Sequence, residues 1–181
     1  PRKHNAQQML DFAKAMTQGE IAQAAAYYAS LPPTVPIQVV ETATVLRMRS
    51  QEGMWLPHEG GTQEPIGNRV IETPANVERE QLRDPHAGFI AYVPKGAVAK
   101  GRRLAATLDC AGCHGAGLHG AGRISPAIAG RSPSYLARQL YDFQQGARHG
   151  AMAVAMQPVA AKLTASDIVN LTAYAASLPV K

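Results

Sequence analysis

The chain has 181 residues, 46% of them apolar and 17% charged, which suits one ordinary domain or two small ones. It has no apolar run near the ~18 residues of a membrane span, and its two cysteines are too few for a disulfide scaffold or a four-thiolate metal site. The net charge is +5, and residues 94–181 hold ten Lys or Arg, mostly scattered singly, against three Asp. This scatter argues against nucleic-acid binding and favours a basic surface that docks an acidic protein.

The first segment repeats near the end of the chain. Residues 4–32 align without gaps with residues 151–179, and both copies end in Ala-Ser-Leu-Pro. A Thr-x-x-acid capping box begins at Thr17 in the first copy and at Thr164 in the second, and apolar residues follow at helical spacing. Each copy is therefore predicted to contain a capped helix.

A methionine precedes each capping box by eight residues, Met9 in one copy and Met156 in the other. The ordinary interpretation of a single methionine is core packing. Because these two hold the same place while their neighbours differ, they are candidates for a shared functional role.

Residues 33–93 contain many prolines and no helical stripe. Residues 37–46 and 68–72 are predicted to form short strands, and residues 89–93 an extended run. The segment is predicted to be a Pro-rich linker.

Residues 110–114 read Cys-Ala-Gly-Cys-His, the arrangement for covalent haem attachment. Thiols two small residues apart can form thioethers with two vinyl groups of one porphyrin. His114 can then ligate the iron, while Cys110 and Cys113 hold the ring. The motif therefore predicts one haem c on this chain.

Two other interpretations of the motif are weaker. A thioredoxin-like site would follow a buried strand, whereas residues 101–108 are helical by composition. A zinc site needs four ligands, and no further ligands cluster near these three. A simple disulfide is the remaining alternative.

An electron-transfer haem needs a second axial ligand, usually Met or His. Met156 is favoured because the repeat preserves its place, whereas the nearby Met152 has no counterpart. His119 is too close to His114 to reach the opposite face of the ring, and His149 has no support from the repeat.

Ser132 and Pro133 predict the start of a helix that ends near Gln145. Its spacing places Leu136, Leu140 and Phe143 on one face, suited to packing on a porphyrin edge. Polar side chains that could bind haem propionates, or could be ordinary surface residues, lie on or just after this helix: Tyr135, Gln139 and Arg148.

Taken together, these motifs resemble class I c-type cytochromes, particularly the two-haem bacterial type represented by cytochrome c4. The residues that carry the resemblance are Cys110 to Gly115, Pro126 to Arg131, Tyr135, Leu136, Arg138 to Leu140, Phe143, Gly146, Arg148 and Met156. The middle segment is longer than the cytochrome c4 linker and is similar to that of proteobacterial cytochromes c553.

The resemblance implies that the Pro126 carbonyl accepts a hydrogen bond from His114 Nδ1, and that Ile128 and Gly130 belong to the haem pocket. It also implies that Gly101 lies where the first helix of this domain crosses the last one, near Tyr174.

The resulting fold expectation is all-α. Residues 94–181 form a complete class I haem c domain, residues 33–93 a largely irregular linker with short strands, and residues 1–32 the C-terminal helices of a first cytochrome domain whose start is missing. Met9 would ligate a second haem, attached to that missing part. The alternative is a vestigial helix pair that packs on the haem domain.

The favoured function is one-electron transfer between periplasmic redox partners, since the resemblance implies bacterial export. The first alternative is a cytochrome subunit or module of a larger dehydrogenase. The second is a haem enzyme of the peroxidase or thiosulfate-oxidising type, which needs a vacant or labile iron site.

Overall fold

The computed structural model describes residues 7–30, 37–51, 54–82, 84, 86–122 and 125–180. The chain divides into two compact units, residues 1–34 and residues 35–181. The linker was predicted over residues 33–93. Residues 35–93 instead belong to the same unit as the segment that contains the Cys-x-x-Cys-His motif.

The first unit contains two helices, α1 (Gln7–Ala15) and α2 (Gln18–Ser30). The predicted capping box is confirmed: the backbone N–H of Thr17 donates to Glu20 Oε2 at 2.7 Å, and that of Glu20 donates to Thr17 Oγ1 at 3.2 Å. These bonds favour the ionised carboxylate, so they lower the pKa of Glu20. None of the described residues of either helix is buried.

The second unit begins with short strands. In chain order its elements to residue 94 are β1 (Gln38–Thr42), β2 (Thr44–Leu46), β3 (Met48–Gln51), β4 (Met54–Pro57), β5 (Gln63–Pro65), β6 (Ile71–Pro74), α3 (Val77–Gln81) and β7 (Phe89–Pro94). The strand prediction over residues 37–46 is confirmed by β1 and β2, and the extended run predicted over 89–93 is strand β7. The strand predicted over 68–72 lies slightly later, at β6.

These strands form three small sheets. The largest has the order β1-β7-β6, with β1 parallel and β6 antiparallel to the central β7. The two others are the antiparallel pairs β2–β5 and β3–β4. Ala91 and Val93 of β7 are fully buried, so the central strand contributes directly to the core.

Helices dominate after residue 94: α4 (Ala97–Thr107), α5 (Cys110–His114), α6 (Pro133–Gln144), α7 (Gln157–Ala160) and α8 (Ala165–Ser177), with 3₁₀ turns at Ala116–Leu118 and Ala151–Ala155. Among the described residues, every strand lies between residues 38 and 94. The all-α expectation therefore fits the second half of the chain but not its middle, where the strands lie. In the part of the chain described, no helix is long and apolar enough to cross a membrane.

Helices α4 and α8 pack closely at Gly101. A Cβ at this position would collide with the backbone carbonyl of Asn170 and would lie 2.8 Å from Tyr174 Cβ. Only glycine permits this close approach, so the crossing near Tyr174 lies where the resemblance placed it.

Helices α6 and α8 begin as their sequences predict. Ser132 Oγ accepts the backbone N–H of Tyr135 at 3.0 Å, which caps α6, and Pro133 occupies the first helical position. Thr164 and Asp167 form a complete capping box at α8.

Candidate functional site

The Cys-Ala-Gly-Cys-His segment forms one short helical turn, α5, which begins after Asp109 in a left-handed conformation with φ +51°. Cys110 is half-buried against a cluster that includes Leu118 and Leu136, and Cys113 is exposed. Burial raises the pKa of the Cys110 thiol, because it penalises the thiolate. Both thiols are free and so could form thioether bonds.

Gly112, between the two thiols, has little space around it. A Cβ there would collide with the Asp109 carboxylate. The glycine at this position therefore serves the folding of the turn itself as well as the approach of a ring.

His114 is buried, with 9% of its surface exposed. Its Nδ1 lies 2.9 Å from the Pro126 carbonyl oxygen. A carbonyl can only accept, so Nδ1 donates, and in the neutral imidazole the lone pair is then on Nε2. Within the described residues Nε2 has no hydrogen-bond partner, and it is the atom suited to ligate iron.

Backbone hydrogen bonds hold the loop that carries Pro126. The N–H groups of Ile128 and Ala129 both donate to the Leu118 carbonyl, at 2.9 and 3.1 Å. The N–H of Gly130 donates to the Ala175 carbonyl of α8 at 2.8 Å. The orientation of the imidazole is thus fixed through α8 and the turn after the motif.

Helix α6 links two apolar clusters. Leu136, near its start, packs in the cluster that includes Cys110 and Ile128. Phe143, near its end, is buried with Ala153 and Ala160, and the partly buried Leu140 and Met156 pack against them. Leu136 and Phe143 are about 10 Å apart along the helix axis. One face of α6 therefore connects the surroundings of the thiols with those of Met156.

Met156 follows the 3₁₀ turn at Ala151–Ala155 and is half-buried. Met152, four residues earlier, is 61% exposed. Gln144 of α6 holds the chain just after Met156 against that helix, because its Nε2 donates to the carbonyls of Ala160 and Leu163 at 2.8 and 2.7 Å. Sequence reasoning missed Gln144, since its partners lie 16 and 19 residues away and no local pattern marks them.

Two of the predicted propionate-binding residues contact each other. Arg148 Nη1 donates to Gln139 Oε1 at 2.7 Å, and the guanidinium lies 4.7 Å from the centre of the Phe143 ring. Tyr135 is 53% exposed, and its side chain makes no hydrogen bond within the described residues.

Met9 belongs to the first unit and is 68% exposed. Its thioether is accessible and is not part of a core within the described residues of that unit.

The second unit has the composition expected of a domain completed by a large prosthetic group. Among the described residues, the largest side chains with less than 2% exposure are Val93, Thr172 and Pro133, with no aromatic residue among them. Two free thiols, an imidazole with one nitrogen oriented by a carbonyl and a half-buried thioether form the donor set of a haem c. The residues present therefore fit that group. In the described ranges, no group of three His, Cys, Asp or Glu residues could hold a bare metal ion.

Comparison with known proteins agrees with this geometry. The sequence model of the cytochrome c family matches residues 98–179. Cytochrome c-554(548) of Halomonas halodenitrificans is 35% identical over 68 residues, which are 38% of this chain and 82% of that protein. The chain belongs to the cytochrome c family. It is therefore an electron-transport protein with a covalently bound haem c, and the metal that it binds is the haem iron.

Two further similarities extend beyond the family domain. Cytochrome c4 of Azotobacter vinelandii is 30% identical over 132 residues, 63% of each chain. The solved thiosulfate dehydrogenase (TsdBA) of Marichromatium purpuratum is 28% identical with a TM-score of 0.58, and the match covers 99% of this chain and 28% of that one. This cytochrome thus spans 63% of the length of cytochrome c4 and 28% of the length of the thiosulfate dehydrogenase chain, less than two thirds of either.

Proposed function

We propose that this cytochrome carries single electrons between redox proteins of the bacterial periplasm on a haem held by Cys110, Cys113, His114 and Met156. The haem iron, when bound, supplies the one-electron redox couple. The two cysteines would attach the ring, and His114 and Met156 would hold its iron through an imidazole nitrogen and a thioether sulfur.

The observation that carries this proposal is the 2.9 Å contact between His114 Nδ1 and the Pro126 carbonyl. It leaves a buried imidazole with Nε2 ready for a metal. Met156, uncharged and packed against the cluster of Phe143, Ala153 and Ala160, supplies the second donor. A neutral thioether in an apolar pocket disfavours the additional charge of ferric iron and so raises the reduction potential.

The optical spectrum of purified protein tests the ligand assignment. In Met156→Ala the low-spin spectrum of His/Met ligation should disappear, whereas Met152→Ala, the matched control, should retain it. Loss of the spectrum in Met152→Ala with retention in Met156→Ala would assign the ligand to the other methionine. An unchanged spectrum in both would place it elsewhere.

The charge distribution supports an acidic partner. The described basic residues after position 94 are all exposed, and none of them forms an ion pair within the described part of the chain: Lys95, Lys100, Arg102, Arg103, Arg131, Arg138, Arg148 and Lys162. Unpaired surface charge steers encounters in a salt-dependent way. Electron transfer to an acidic acceptor should therefore slow as ionic strength rises. A rate that does not depend on salt would contradict the proposed docking face.

A second haem is proposed for a domain that residues 1–32 complete, with Met9 as its ligand. Helices α2 and α8 each begin with a Thr capping box. Yet apolar side chains of α2 are exposed, including Ile21 at 39% and Tyr28 at 71%. A cytochrome core would cover that face. The intact mass of the natural gene product should show two haems, and a mass with one haem would favour the vestigial helix pair.

The second candidate function is an electron-accepting module of a thiosulfate-oxidising enzyme. The similarity to part of the thiosulfate dehydrogenase over 99% of this chain favours it. Mixed with such an enzyme, the module should be reduced when thiosulfate is added, but not by thiosulfate alone. Reduction by thiosulfate without the enzyme would instead favour the haem-enzyme alternative. If thiosulfate does not reduce the cytochrome even when the enzyme is present, the cytochrome is a free carrier and not a module of such an enzyme.

A further inference from the structure

Two glutamates of the strand segment cap the helices that frame the proposed haem site. Helix α4 begins after Gly96, which has no side chain to cap it. Glu41 of β1 fills this role: its Oε1 accepts the backbone N–H of Val98 at 2.8 Å, across 57 residues of sequence. A carboxylate at this end also interacts favourably with the helix dipole.

Glu72 of β6 occupies the corresponding place at α6. Its carboxylate accepts the backbone N–H of Ser134 at 2.8 Å and the hydroxyl of Ser132 at 2.9 Å. Pro133 has no N–H, and the N–H of Tyr135 donates to Ser132 Oγ. The first-turn donors of α6 are thus satisfied by Ser132 together with a carboxylate from a strand 60 residues earlier.

Apolar packing joins the same elements. Val93 of β7, Ala97 of α4 and Ala173 of α8 form a cluster with no exposed surface. Val39 of β1 packs against it. The sheet therefore provides a fixed base on which the N-termini of α4 and α6 are anchored.

We propose that Glu72 is a positioning residue for the haem crevice. Helix α6 is a rod of about 18 Å, and Phe143 near its end belongs to the buried cluster against which Met156 packs. The bonds from Glu72 hold its first turn to β6 and so fix where the far end of the rod presses on the ligand segment. This inference rests on the proposed function, because Met156 must ligate the iron for its position to affect the haem.

The experiment compares Glu72→Gln with Glu59→Gln in the haem-loaded protein. Glu59 is a matched control, since it lies in the same segment, is 89% exposed and contacts Arg49 at 3.7 Å. In Glu72→Gln, imidazole should displace the methionine ligand from ferric haem about tenfold faster, the effect of losing roughly one charge-assisted hydrogen bond. Amide exchange at Ser134 should accelerate as well. Glu59→Gln should match the wild type in both.

Equal imidazole rates in the two variants would overturn the positioning role. Glu72→Asp keeps the negative charge but has a shorter side chain, so an intermediate imidazole rate supports positioning. A wild-type rate in Glu72→Asp together with a faster rate in Glu72→Gln would overturn the positioning role, because the charge alone would then account for the effect. If the wild type carries no covalent haem, the proposed function fails instead. In that case unchanged exchange at Ser134 in Glu72→Gln would still overturn the anchoring contact.

Discussion

Helices α2 and α8 lie in the two aligned segments of the chain and have related sequences, but their surroundings differ. Both have 13 residues, both begin on a Thr capping box, and both end with a serine hydroxyl that donates to the carbonyl of a tyrosine three residues earlier, Ser30 to Tyr27 and Ser177 to Tyr174. Yet α8 has six buried residues, whereas none of the described residues of α2 is buried.

The comparison separates local from tertiary causes. Caps and helix boundaries follow from the few residues at each end, so both copies show them. Burial depends on what packs against the helix, and for α8 that includes α4, β1 and α6. Equivalent substitutions in the two copies should therefore differ wherever packing matters.

The largest difference is expected at the matched isoleucines. Ile168 is 8% exposed and Ile21 is 39% exposed. Ile168→Ala should lower the free energy of unfolding by about 2–5 kcal/mol, because it leaves a cavity. Ile21→Ala should change it by less than about 0.5 kcal/mol, as surface substitutions do. Urea unfolding of the whole chain measures both, and equal losses would contradict the difference in burial between the two isoleucines.

The next largest contrast is between Gly101, where α4 packs on α8, and Gly19 of α2. Gly101→Ala should destabilise the protein by about 1–3 kcal/mol, because the new methyl group collides with the Asn170 carbonyl. Gly19, in the first turn of α2, has only Thr17 Oγ1 nearby, at 3.9 Å. Gly19→Ala should instead stabilise α2 by about 0.5–1 kcal/mol. Thermal unfolding followed by circular dichroism distinguishes the two, and a neutral Gly101→Ala would contradict the tight crossing.

The capping threonines should show a smaller effect. Thr164→Ala removes the acceptor for the Asp167 N–H and should cost about 1 kcal/mol. Thr17→Ala breaks the equivalent bond in α2. It should reduce helical content locally without moving the unfolding transition of the second unit. A shift of that transition by Thr17→Ala would mean that the two units unfold together.

The smallest expected effect is a pH dependence from Asp167. Hydrogen bonds from Thr164 lower the pKa of this carboxyl in the folded protein. Its contribution to stability is therefore complete above the ordinary aspartate pKa and is lost as pH falls through the lowered folded value. Asp167→Asn should flatten the acid side of the stability profile of the second unit. Glu20→Gln, at the matching place in α2, should leave that profile unchanged.

Sequence reasoning succeeded where the signals are local. Ser132 with Pro133 marks the start of α6, and the two capping boxes mark α2 and α8, because each signal lies within four residues of the helix end. The haem-binding roles of the thiol pair, His114 and Met156 stay predictions. The first three lie together in one motif, whereas Met156 has no local signal and was indicated by the repeat.

Long-range contacts were beyond the sequence patterns. A single glutamate in a strand does not reveal that it caps a helix about 60 residues later, as Glu41 and Glu72 do. Nor does a Pro-rich segment reveal the parallel pairing of β1 with β7. The middle segment was therefore predicted as a linker, whereas the structure packs it into the second compact unit.

The most direct test of the haem assignment is mass analysis of a tryptic digest of the purified protein. Cleavage after Arg103 and Arg123 releases residues 104–123, which contain both cysteines. We predict that this peptide carries the added mass of one haem through two thioether bonds. Recovery of the peptide at its unmodified mass, with haem removed by acid extraction, would contradict the account.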